Sequence, residues 1–350
     1  MNTKDVISGK SFKLFRINAF VLIALALVIV FSVPALADDQ DVKRVVVCSI
    51  TVGFFHDSIP YINKALAEMD EADDRFEVVA WARQPDIEVP QLPRRPRRPA
   101  EDAAPVWHER YEKLKAEYEE AVAAWTPEDD ERQRQKEAEL QEAIRNALSI
   151  LSPDALREKG VDAVIFNNTY GRLPLPDVDG FIDWVEDGGA YVGIHAASFM
   201  LPNEPRVADM LQGKFDTHGP QVEATLHAGD TDHPANAGIG ETWHIPREEI
   251  YLFEGHDPEK VRTLWYMRHH PNHPDQKGHF PISWCRMAGD GRVFFTSLGH
   301  RKDLLSLDPD FQGRVNPVEV ARQYRAHLLG GILWALDLED GLADPNPELE

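Results

Sequence analysis

The segment Gly188-Gly189-Ala190-Tyr191-Val192-Gly193-Ile194-His195-Ala196-Ala197-Ser198 limits the fold more than any other stretch of the chain. Tyr191, Val192 and Ile194 make a short apolar strand, and Gly188-Gly189 stops the helix before it. The small residues after His195 can open a new helix. A strand-to-helix turn of this kind belongs to parallel α/β folds, which place ligands at the carboxyl edge of the sheet. The side chain at that edge is His195.

The flanking sequence fits the same class. Residues 42–50 are a near-continuous apolar run, the pattern of a parallel strand buried on both faces. They lead through the loop Thr51-Val52-Gly53-Phe54-Phe55-His56-Asp57-Ser58 into a helix with Pro60 in its first turn and Ile59, Ile62, Leu66 and Met69 at helical spacing. With a second strand at residues 76–81, this opens a doubly wound α/β domain. Residues 85–105 then carry six prolines and four arginines and read as an extended linker. Residues 106–150 read as an inserted helical hairpin, its second helix capped by Thr126 ahead of Pro127, with Leu114, Tyr118 and Val122 on one apolar face. A solvated insertion is the plain reading of so charged a hairpin, and a docking arm or lid is the alternative.

The α/β pattern resumes at a strand over 161–166, followed by the polar loop Asn167-Asn168-Thr169-Tyr170-Gly171 and an amphipathic helix over 177–187. Strand-like segments at 221–227, 249–253, 263–267, 281–286 and 292–297 and a helix over 317–336 complete a domain spanning 38–340. Residues 341–350 form an acidic, proline-containing tail expected to be loose.

Ahead of the domain, Lys10, Lys13 and Arg16 precede an apolar run over 17–33 and Ala35-Leu36-Ala37, the pattern of a signal peptide over residues 1–37, with an uncleaved anchor as the competing reading. The expectation is an exported protein, periplasmic or extracellular, with no membrane attachment after cleavage. Loss of that segment, with four basic and one acidic residue, takes the net charge from −22 to −25. A charge of that sign argues against nucleic acid or an anionic membrane surface as partner. Cys48 and Cys285 both sit in strand-like runs and read as buried thiols rather than a disulfide.

Of the fourteen histidines, four fall in glycine-containing loops beside strands: His56, His195, His218 and His300. One such histidine would be unremarked. Four at the carboxyl edge of one sheet converge on a crevice. Imidazoles there suit acid/base work near neutral pH or a divalent metal, zinc foremost, with His56, His195, His218 and His300 as ligands. Glu249 and Tyr251 alternate along an expected strand, so they point the same way and can join the site. His269, His270, His273 and His279 lie in a Pro/Asn/Asp-rich loop and read as incidental. The chain has no G-x-S-x-G, no cysteine elbow and no G-x-G-x-x-G after the first strand, so neither nucleophilic hydrolysis nor a nucleotide cofactor is signalled.

Taken together, these segments resemble the ThuA-like (trehalose-utilisation) family. The resemblance rests on the loop 51–58, on Asp162-Ala163-Val164-Ile165-Phe166-Asn167-Asn168, on 188–197, on Phe215 with His218, on Asp232-His233-Pro234, on Glu248-Glu249-Ile250-Tyr251 and on 291–300. It covers about residues 42–82 and 153–336 and leaves out the helical insertion. It implies a flavodoxin-like, class I glutamine-amidotransferase-like sheet, mostly parallel, with His195 at the elbow where that superfamily carries its cysteine, and hence no amidotransferase activity. It also implies sugar catabolism, notably of 3-keto-glycosides made by a partner sugar dehydrogenase, with a metal in some members.

The expectation is therefore an enzyme acting on a small carbohydrate, with His195, His56, Glu249, Tyr251 and His300 as catalytic residues. A homo-oligomer is compatible with it. The alternative is a non-catalytic sugar-binding or scaffold protein that docks through its hairpin.

Overall fold

The computed structural model describes residues 42–349, so the expected signal segment lies outside the described residues. Among these, no helix is long and apolar enough to cross a membrane. The chain opens with β1 (Lys43–Cys48), α1 (Ile59–Ala72) and β2 (Phe76–Ala82), as the apolar spacing predicts. The hairpin α2 (Pro105–Ala124) and α3 (Pro127–Leu148) follows. The α/β pattern resumes with α4 (Pro153–Glu158), β3 (Ala163–Asn167), β4 (Tyr170–Gly171), α5 (Val178–Glu186), β5 (Ala190–Ile194) and β6 (Phe199–Met200). Then come α6 (Pro205–Leu211), β7 (Lys214–His218), β8 (Val222–Ala228), β9 (Thr242–Glu248) and β10 (Tyr251–Glu254). The last elements are β11 (Arg262–His269), β12 (Lys277–Ala288), β13 (Gly291–Thr296) and α7 (Val318–Ala335).

Nine strands form the central sheet, in the order β2-β1-β3-β5-β13-β12-β11-β8-β9. The first five run parallel, and the remaining four extend the sheet by antiparallel pairing. This is the doubly wound α/β architecture expected, parallel through its first five strands and mixed through the antiparallel extension. In the parallel half successive side chains enter opposite layers. Val45, Val47, Ile165 and Val192 pack under α1 and α7, while Val46, Cys48, Val164, Phe166 and Tyr191 pack against α4 and α5. A strand buried on both faces has no polar position to spare, which is why these runs read as continuously apolar. Cys48 and Cys285 are buried free thiols.

Two features of this core set up the site. Ile194 stands level with Asn167 of β3 and Thr296 of β13, so three adjacent strands end at one height. The chain leaves β1 toward β2 and comes back to β3 on the other side, which opens a crevice at the carboxyl ends of β1 and β3.

The hairpin forms as read, with a reciprocal cap in which Thr126 Oγ1 accepts from Asp129 N–H and the Asp129 carboxylate accepts from Thr126 N–H. Its expected apolar faces do not both find partners. α3 buries only Ile144 and Leu148, and α2 buries nothing, leaving Trp107, Leu114 and Val122 exposed.

The tail departs further from expectation. The Asn346 side chain accepts from Thr263 N–H (2.7 Å) and donates to the carbonyls of Gly229 (3.0 Å) and Thr263 (3.1 Å), which fastens the tail to the antiparallel half of the sheet. Charge and proline content do not report such a three-bond clasp. Asn346→Ala strips these partly buried backbone groups of their partner and is expected to cost about 1 kcal/mol or more in urea unfolding. An unchanged midpoint would mean that the clasp holds nothing.

Candidate active site

His195 is the first residue beyond β5 and takes a left-handed backbone conformation (φ +51°). A non-glycine residue held there stores roughly 1–3 kcal/mol of strain, which the surrounding fold must overcome. The side chain is fully buried. Its Nδ1–H donates to the Ser297 carbonyl at 2.6 Å. Since a carbonyl can only accept, the ring carries its proton on Nδ1 and turns the Nε2 lone pair the other way. That nitrogen accepts from the Tyr251 hydroxyl at 2.7 Å and lies 3.5 Å from Glu249 Oε1.

His56 arrives from the loop after β1. Gly171 lets this loop close on β4, because a Cβ at Gly171 would run into the Val52 carbonyl oxygen. Val52 N–H donates to the Tyr170 carbonyl, and Thr51 Oγ1 to that of Phe54. Behind the loop, Asn167 Nδ2 donates to the Ile59 carbonyl and to Asn63 Oδ1, locking the start of α1 to the end of β3. The His56 ring then stands 4.9 Å from that of His195 and 5.5 Å from that of His300, centre to centre. His56 Nδ1 is buried with no hydrogen-bond partner among the described residues.

His300 follows β13 on a loop gripped by Glu248, whose carboxylate accepts from the backbone N–H groups of His300 (2.9 Å) and Arg301 (3.4 Å). Burial pushes the Glu248 carboxyl up to about 7, against the pull of His300 and these backbone donors. The next residue faces the histidines. Glu249 Oε1 lies 3.3 Å from His300 Nδ1, without the alignment of a hydrogen bond, and Oε2 lies 3.1 Å from His218 Nδ1.

Glu249 and Tyr251 thus meet at His195, but not as alternate residues of one strand. β9 ends at Glu248 and β10 begins at Tyr251, so Glu249 sits in the break between them. His218 is likewise not in a loop before a strand. It ends β7, paired directly with Tyr251 in a small two-stranded sheet.

Ligand atoms of His56, His195, Glu249 and His300 all lie within 4.8 Å of one another. His218, grouped with the ligands on sequence, is outside this set; it stands on the outer oxygen of Glu249 and is partly exposed. Three imidazoles and a carboxylate are a donor set suited to zinc or a similar divalent metal. The unpartnered His56 Nδ1 fits that use, as does the Ser297 carbonyl that fixes the His195 tautomer from behind.

The electrostatics agree. Burial, then the neighbouring imidazoles, push His56 down to about 3. Burial also lowers His195, against the pull of Glu249, so both rings stay neutral. For Glu249 burial acts upward, but the His300 imidazole opposite outweighs it and holds the carboxylate below its usual range. For His300 burial acts downward, and Glu249 outweighs it, raising the imidazole. Burial and then the charges of Glu249 and Glu248 raise the Tyr251 hydroxyl, which keeps its proton.

The cluster opens into a chamber of about 270 Å³ lined by Phe54, His56, Tyr170, Phe215, His218, Glu249, Tyr251 and His300. The aromatic walls from Tyr170 and Phe54 were not singled out by sequence, since an aromatic in a loop carries no periodic signal. Two of the other histidines have structural partners: His327 is buried with Nδ1 on the Ala235 carbonyl, and His270 is buried with Nδ1 accepting from Asn272 N–H.

In metal-free protein the His300–Glu249 pairing contributes stability that is full below the ordinary histidine value of 6.5 and is lost as pH rises through the raised one. Glu249→Gln is expected to bring the His300 pKa down in an NMR titration. An unmoved His300 would show that Glu249 does not set its charge.

A search of curated proteins finds no match. Among solved structures, a ThuA-like protein from Bacteroides uniformis ATCC 8492 is similar at a TM-score of 0.51 and 15% identity, covering 84% of this chain and 90% of its own. One from Parabacteroides merdae ATCC 43184 is similar at 0.51 and 14%, covering 87% and 98%. These likenesses carry the fold. The family model described as ThuA, trehalose utilisation, matches residues 106–335. The match takes in the helical hairpin, which the resemblance read from sequence left out, and contains His195, His218, Glu249, Tyr251 and His300, with His56 ahead of it. The chain belongs to the ThuA, trehalose-utilisation, family.

Proposed function

We propose that this protein is an exported enzyme of sugar catabolism that acts on keto-sugars or 3-keto-glycosides, cleaving or isomerising them through proton abstraction beside the keto group. The observation that carries the reading is a small chamber lined by His56, His218, His300, Glu249 and a protonated Tyr251, with the His195 imidazole directly behind Tyr251. Export rests on the apolar segment over 17–33 with Ala35-Leu36-Ala37. A sugar dehydrogenase is the class of partner that would supply the oxidised substrate.

His56, His195, Glu249 and His300 are the residues that would hold a divalent metal. When bound, such a metal supplies Lewis acidity toward a carbonyl oxygen. His218 is the base best placed outside that set. With Nδ1 toward the Gly219 carbonyl (2.9 Å) and Glu249, its Nε2 is left to accept a proton from the carbon next to the keto group. Electrons of the broken C–H bond pass to the carbonyl oxygen as an enolate. Collapse of the enolate expels the glycosidic oxygen one carbon further on, leaving an unsaturated ketone; in isomerisation the adjacent hydroxyl passes its proton to the enolate oxygen, becomes the new carbonyl, and the abstracted proton returns to the former carbonyl carbon. The Tyr251 hydroxyl, held protonated, would turn from His195 Nε2 to donate to the departing oxygen or to the enolate. Phe54, Tyr170 and Phe215 give the sugar ring apolar faces to lie against.

His195→Ala is expected to abolish turnover of 3-keto-glycosides, at least about 10²-fold for loss of an acid/base or ligand group, while circular dichroism stays unchanged. Undiminished turnover would overturn the reading. Elemental analysis of purified protein is expected to find close to one zinc or similar ion per chain, lost in His56→Ala and His300→Ala.

The exposed apolar residues of α2 favour a second reading, in which the hairpin docks a partner and the chamber only binds sugar. Replacing Trp107, Leu114 and Val122 by serine separates the two. The enzyme reading expects turnover to persist in that variant.

A further inference from the structure

A second cavity, of about 300 Å³, lies directly against the histidine chamber. Phe54, His56 and His300 line both, so the two spaces meet at the side chains of the cluster itself. Each alone sits at the small end of the roughly 300–1,000 Å³ seen for ligand clefts, and the pair together falls inside that range.

Its charges are already paired. Arg301 donates to both oxygens of Asp303 (2.8 and 3.0 Å) and to Gln221 Oε1 (2.9 Å). Lys302 Nζ reaches Asp57 at 3.4 Å. An anion entering here would have to break a buried carboxylate's pairing with Arg301, whereas hydroxyl groups can share these donors and acceptors without disrupting them. Flat apolar faces complete the wall: Phe311, with Phe54 and Phe55, which are 59% and 45% exposed. Exposed rings beside hydrogen-bonding groups suit a ligand with one apolar and one hydroxylated aspect.

We propose that this second cavity seats the leaving half of the substrate, a neutral hydroxylated ring such as a second pyranose, so that a two-ring glycoside straddles His56 and His300. This rests on the reading that the histidine chamber holds the reacting sugar. Gln221 and Phe311 are then specificity residues that favour disaccharides over simple glycosides, and the Arg301–Asp303 pairing, which an anion would have to break, disfavours phosphorylated sugars.

The test is calorimetric titration of the full chain with unoxidised, unreactive probes: trehalose, maltose, cellobiose and sucrose against methyl glucoside and trehalose 6-phosphate. At least one neutral disaccharide is expected to bind about tenfold more tightly than methyl glucoside, and the phosphate no more tightly than trehalose. Phe311→Ala, and Phe311→Leu, which keeps apolar bulk but removes the ring face, are each expected to erase most of that advantage. Equal binding of all four disaccharides and methyl glucoside, including no binding by any, overturns the proposal. So does tighter binding of the phosphate, or an unaltered preference in both Phe311 variants. A disaccharide preference in a protein that turns over no 3-keto-glycoside overturns the proposed reaction and leaves the second cavity standing.

Discussion

The hydrogen bond from His195 Nδ1 to the Ser297 carbonyl is the constraint on which the site depends. It joins the ends of β5 and β13 across the sheet and fixes which nitrogen of the imidazole faces the cavity. It also helps hold a residue whose backbone would otherwise avoid the left-handed region. Everything around it follows from strand ends standing level: His56 from the β1 loop, Asn167 behind it, and His300 beyond β13. The sheet supplies rigidity, and the loops supply chemistry. This division allows two neutral imidazoles, His56 and His195, to be held beside the His300–Glu249 pair at a desolvation cost that a flexible loop could not sustain.

Much of this was legible in the sequence because parallel strands buried on both faces leave a coarse signature. The runs at 42–50, 161–166 and 188–194 announced the sheet, and the histidines just after them announced its edge. His56, His195 and His300 came together for that reason. Glu249 and Tyr251 also arrived, though by a different backbone path. A break at 249–250 is invisible in a segment whose residues all suit a strand, and two-residue alternation leads to the same neighbourhood by coincidence of geometry.

What stayed hidden was of another kind. β9 and the small β7–β10 pairing depend on contacts far apart in the chain, and local patterns do not encode which edge a strand will join. The tail looked like solvent-seeking sequence, yet a single asparagine ties it down. The first helix of the hairpin erred in the opposite direction. Its apolar residues fall at helical spacing, but spacing reports an amphipathic face and not whether anything covers it.

Glu248 and Glu249 are neighbours with opposite employments, one gripping backbone N–H groups behind the His300 loop and the other touching the rings in front of it. The position of the loop and the charge of the cluster are therefore written into a single dipeptide. A one-residue slip there would set Glu249 in the brace and bring Ile250 to the rings, leaving the loop held but the cluster without its carboxylate. The pair can be transplanted, diversified or redesigned only as a unit.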